Sequence, residues 1–179
     1  MIEDPSASAD AKADRIASAT QRIIEKEMEK DPAFYRKFSV MIEDILQAVY
    51  QGRMQALEAL PKLEDAHKKV ATHTDESVPA ELVAKDMARR FYGCVREDVA
   101  EYTTGDPKPA TKIALAIVDR IQKHKIRDWI HNDDAINRMR GEIDDIFFEA
   151  IQETGIDFPL ELQDKLIDQC IEIARANEN

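Results

Sequence analysis

Glu64 and His67 are the chain's nearest approach to a metal-binding motif. Three residues apart on a helix, a carboxylate and an imidazole leave one face together and can share a divalent ion. A di-metal carboxylate bundle needs two such Glu-x-x-His units and two further glutamates. One unit is present, so a solvated polar face is the expected role. Asp10-Ala11-Lys12 and Asp106-Pro107-Lys108 match the acid-x-lysine tripeptide with which many restriction nucleases hold a metal and activate water. That site sits on adjacent strands, and neither tripeptide lies in a strand-patterned segment. Asp133-Asp134 and Asp144-Asp145 put acids side by side, but neighbours on a helix point about 100° apart. Helix capping and solvation explain them better than paired acid–base chemistry.

Other chemistries lack their residues. The glycines stand at 52, 93, 105, 141 and 155, so neither GxxxxGK[ST] nor GxGxxG nor GxSxG can be formed. This excludes ATP hydrolysis by a P-loop within the chain. The histidines, at 67, 73, 124 and 131, form no HxxxH or HxxEH. The cysteines, Cys94 and Cys170, belong to no CxxC pair and are read as reduced, partly buried thiols.

One cluster remains. Arg120, Lys123, His124, Lys125 and Arg127 form a basic strip in an acidic protein of net charge −11. Residues 105–127 carry six Lys or Arg against two Asp or Glu; residues 128–179 carry four against fourteen. Lys, His and Arg favour the last turn of a helix, where unpaired carbonyls concentrate partial negative charge, so a solvated helix end accounts for the strip. The functional alternative is contact with DNA phosphates or an acidic protein face, with Arg138 and Arg140 as further candidates. Trp129 reads more readily as an inter-helix plug than as an exposed interface anchor.

Helices must position all of this. The chain has 179 residues, 44% hydrophobic and 34% charged, with five glycines and seven prolines, too few for the turns of a strand-rich fold. Apolar residues recur at spacings of three and four. The expected fold is all-α: about seven helices in an irregular bundle, with residues 1–10 a flexible start and 11–179 one helical domain. The predicted helices are Ala11–Lys30, Pro32–Tyr50, Met54–Ala71 (kinked or split at Pro61), Pro79–Tyr102, Ala110–Lys125, Asn132–Thr154 and Pro159–Ala176. The link at residues 103–109, rich in Thr, Gly and Pro, is the expected sub-boundary if two lobes exist. No apolar run approaches the ~18 residues of a membrane span, and the start lacks signal-peptide features, so a cytoplasmic protein is expected.

Two stretches carry a resemblance. RIIEKEMEKDPAFYRKFS at residues 22–39, followed by Gly52-Arg53, is one; IRDWIHNDDAINRMRGEIDDIFFE at 126–149, closed by LELQDKLIDQCIEIAR at 160–175, is the other. Together they resemble the C-terminal helical region of the R subunit, the motor and endonuclease component of type I restriction-modification enzymes. The positions that carry it include Asp31, Pro32, Tyr35, Phe38, Ser39 and Arg53, then Asp128, Trp129, Asn132, Met139, Ile143, Asp144 and Asp145. Pro61 departs from the family, whose helix there is unbroken. The resemblance implies a non-catalytic domain that docks the motor onto the methyltransferase and specificity subunits, near double-stranded DNA and away from any membrane. ATP and Mg would belong to motor and nuclease domains whose motifs are absent here, so no cofactor is expected in this chain. The competing readings are a helical ligand- or cofactor-binding protein and a free-standing helical adaptor.

Overall fold

The computed structural model describes residues 8–155 and 158–178. Among them there are seven α-helices and no strand: α1 (Ala9–Glu27), α2 (Pro32–Tyr50), α3 (Ala56–Thr72), α4 (Asp86–Tyr102), α5 (Pro107–His124), α6 (Asp133–Thr154) and α7 (Leu160–Ala176). Short 3-10 turns occupy Ala80–Leu82 and Trp129–His131. The all-α expectation holds. No helix among the described residues is long and apolar enough to cross a membrane. Residues 1–7 of the expected flexible start lie outside the described residues. Ser8 instead caps α1, its hydroxyl accepting from Ala11 N–H at 3.3 Å, and residues 9–10 are helical.

The described residues divide into two compact units, one of residues 8–28 and 32–76 and one of residues 29–31, 77–155 and 158–178. The segment 103–109 lies inside the second, where it joins α4 to α5. In the first unit α1 and α2 pack on α3. Its core holds Ile16, Ile24, Phe34, Tyr35, Phe38, Ile42, Leu63 and Val70. In the second, α4 packs on α5 and α7, and α6 on α5 and α7, around Phe91, Val95, Ile117, Trp129, Met139, Phe147, Leu166 and Ile171.

The local chemistry explains the boundaries. Pro32 opens α2, where a missing N–H leaves no bond unmade. Asn132 caps α6 by accepting from Ala135 N–H at 3.0 Å, and Gly155 ends it at φ +68°, a conformation that costs other residues strain. α3 is one continuous helix, not split at Pro61; Ala59, Leu63, Ala66 and Val70 all bury one face along its length. The helix predicted from Pro79 is broken. Leu82 is buried in a 3-10 turn, Lys85 leaves helical geometry, and α4 begins at Asp86. The break puts the Asp86 carboxylate in the first turn of α4. Arg89 at 2.6 Å and Arg90 at 2.8 Å both reach it there. Burial pushes the Asp86 carboxyl up, but hydrogen bonds from Arg90 and Arg89 outweigh it and leave the group below its usual range. Leu57 and Leu160 fall on the three-and-four spacing of apolar residues in their helices yet are 70% and 76% exposed. Both lie in the first turn of a helix, where one side of the cylinder has no neighbour to cover it.

Candidate interaction surface

The basic strip is built at the C-terminal end of α5, which packs along α6. Arg120 is three residues ahead of Lys123 and four ahead of His124, so all three side chains leave one face of α5. That face meets Glu142 of α6. Its carboxylate accepts from Arg120 Nη1 at 2.6 Å and Lys123 Nζ at 3.1 Å, and lies 2.8 Å from His124 Nε2. Arg120 Nη2 also reaches Glu149, one further pair of turns along α6, at 3.3 Å. Three donors on one carboxylate stabilise its charged form. Hydrogen bonds from His124, then Lys123 and Arg120, hold the Glu142 carboxyl at about 2, against an ordinary 4.5.

The other candidate cations diverge. Lys125 pairs with Glu178, and its hydrogen bond draws that carboxyl below its usual range. Arg140 pairs with Asp168 of α7. Arg127 is 97% exposed, with the Asp128 carboxylate beside it at 3.8 Å. Arg138 is exposed on α6. The six residues therefore form no single cradle. Arg120 and Lys123 converge on a glutamate, Lys125 and Arg140 face separate acids, and Arg127 and Arg138 are open to solvent. Sequence reasoning missed Glu142. Its signal was present: an acid on α6 opposite three bases on α5, invisible until the two helices are set in register.

The motifs weighed for catalysis have structural roles. Asp10-Ala11-Lys12 lies in the first turns of α1, and Asp106 caps α5, accepting from Lys108 N–H at 3.0 Å. His67 Nδ1 lies 2.9 Å from Thr20 Oγ1. That hydroxyl donates its proton to the Ile16 carbonyl at 2.7 Å, so the imidazole N–H is the donor of the pair. Among the described residues no group of three or more His, Cys, Asp or Glu could hold a metal ion. A cavity of about 50 Å³ in the second unit is bordered by Met87, Phe91, Ile121, Lys125, Trp129 and Asn177. It has room for a water or two, not for a nucleotide.

Residues 10–179 match the family model for the C-terminal region of type I restriction enzyme HindI endonuclease subunit-like proteins. The chain belongs to that family. No curated protein and no solved structure matches it. The residues that carried the resemblance now have places in this restriction-subunit domain. Tyr35 and Phe38 lie in the core of the first unit, and Asp31 is buried. Trp129, 1% exposed, is a core plug of the second unit. Asp128 just before it adopts φ +57°, a turn that Asp tolerates better than most residues. Asn132 is a cap, and Asp144 and Asp145 are solvated on α6. The link of residues 29–31 is held within the second unit. The Lys30 carbonyl accepts from Arg90 Nη1 at 3.2 Å and from Asn177 Nδ2 at 2.9 Å. No periodicity argument could have found that contact, which spans 147 positions of sequence.

Proposed function

We propose that this domain is a non-catalytic assembly piece of the R subunit, joining the motor to the methyltransferase and specificity subunits of a cytoplasmic type I restriction complex. Family membership over residues 10–179 supports the setting. The Glu142 cluster carries the choice of protein over DNA. A phosphate approaching Arg120 or Lys123 meets a carboxylate already accepting from both, so part of the attraction is answered inside the fold. A protein partner needs only the rigid, ion-paired surface that results. A pull-down with the assembled methyltransferase–specificity complex tests this: retention without DNA is expected, and no retention with or without DNA overturns it.

A secondary reading keeps contact with double-stranded DNA, favoured by the exposure of Arg127. In a gel shift of the assembled complex, Arg127→Glu with Arg138→Glu then weakens DNA retention more than Lys123→Glu with Lys125→Glu. Equal effects would remove the distinction.

A further inference from the structure

Helices α4 and α7 run antiparallel where they pack, and two contacts set their register. Lys165 of α7 reaches Asp98 of α4 at 3.0 Å. One turn earlier on α4 and one turn later on α7, the Cys94 thiol donates to Gln169 Oε1 at 3.4 Å. The next residue, Cys170, points inward and is fully buried, while Cys94 is half-buried at the edge of the same interface. The register thus brings the chain's two thiols together although 76 positions separate them in sequence. We propose that Cys94 and Cys170 form a thiol modification site: Cys94 takes up a low-molecular-weight disulfide of the glutathione class, and Cys170 resolves it to an internal disulfide linking α4 to α7.

The steps balance. The Cys94 thiolate attacks one sulfur of oxidised glutathione, forming a mixed disulfide and expelling a glutathione thiolate. Cys170 then loses its proton and attacks Cys94 Sγ. The Cys94–Cys170 bond forms and the second glutathione thiolate leaves. Two protein thiols are oxidised, one glutathione disulfide is reduced to two thiols, and the two protons released from the protein end on them. The roles follow from access, since only Cys94 can be reached from solvent. Contact with the Cys94 thiol and burial both push the Cys170 thiol well above its usual value, so the resolving step is slow. Its rate rises about tenfold per pH unit until Cys170 ionises. Under reducing conditions both thiols stay reduced.

The test treats the native chain with oxidised glutathione, quenches by alkylation and reads intact mass and a non-reducing peptide map. The expected wild-type course is one glutathionyl group on Cys94, then a Cys94–Cys170 disulfide that dithiothreitol reverses. Cys170→Ser stops at the glutathionyl adduct, and Cys94→Ser stays unmodified while folded, as monitored by circular dichroism. A wild type that stops at the adduct like Cys170→Ser overturns the proposal. So does a wild type that remains unmodified where the denatured chain reacts in full, or modification of folded Cys94→Ser at Cys170. Cys170→Ala replaces the serine variant if that one unfolds.

Discussion

The two units mix the same kinds of contact in different proportions. In the first, aromatic rings meet at an edge. Phe34 lies 5.0 Å from Tyr35 and 4.5 Å from His73, nearly perpendicular to the one and steeply tilted to the other, and 4.8 Å from Phe38. The buried Thr20 hydroxyl, neutral and doubly bonded, ties α1 to His67 of α3. The second unit has a larger aliphatic core around Trp129 and Phe147, and its helices are laced outside by ion pairs. Arg120 and Lys123 meet Glu142, Arg140 meets Asp168, and Lys165 meets Asp98. Packing and neutral hydrogen bonds respond weakly to salt and acid, whereas exposed ion pairs are screened by salt and lost on protonation. The first unit has a comparable pair, Lys37 with Asp75 at 3.0 Å, so sensitivity to ionic conditions should be present in both units and greater in the second, where ion pairs join helix to helix.

The largest expected effect tests the division itself. Trp129→Ala removes the biggest fully buried side chain and should cost about 3–5 kcal/mol. Hydrogen exchange should show protection lost first in α4 to α7, and equal loss in α1 to α3 would mean that the units do not melt separately. Thr20→Val leaves the His67 N–H without its acceptor and should cost about 1–2 kcal/mol in a urea melt. An unchanged midpoint would remove the neutral bond from the account of the first unit. Asn132→Ala removes the cap of α6 and should cost about 1 kcal/mol by the same measurement.

A smaller and more specific effect belongs to Glu142. Its folded carboxyl ionises near 2, below the ordinary 4.5, so its contribution to stability is fully present above pH 4.5 and lost as pH falls toward about 2. Glu142→Gln should flatten that part of the stability–pH curve and leave the curve nearly unchanged in high salt. An identical slope in variant and wild type would dissolve the contrast between the units. Smallest is Arg127→Ala, whose side chain is nearly all in solvent: stability should change by less than about 0.5 kcal/mol. A larger loss in a thermal melt would show packing that its exposure conceals.

Much of this was legible in the residues. The predicted ranges Pro32–Tyr50 and Asn132–Thr154 match α2 and α6 to within a residue, because periodicity and capping chemistry are local. Trp129 was read as a plug and is one. The reading strayed where a neighbour decides the outcome. Leu57 and Leu160 sit on apolar stripes with nothing over them, and the helix expected from Pro79 gives way where Asp86 gathers Arg89 and Arg90. The basic strip was visible as charge, but its partners were not.

Local rules acting over a few residues, namely helical periodicity, caps and turn conformations, are contained in the order of the amino acids. They determined an all-α chain of seven helices and, through its motifs, its family. What tertiary structure alone decided is which distant groups meet. Glu142 gathers Arg120, Lys123 and His124 from α5, the Lys30 carbonyl accepts from Arg90 and Asn177, and Cys94 comes to lie beside Cys170. Each pairing depends on how two helices are set side by side, and that register follows from packing whole apolar faces together, a condition no short stretch of sequence contains.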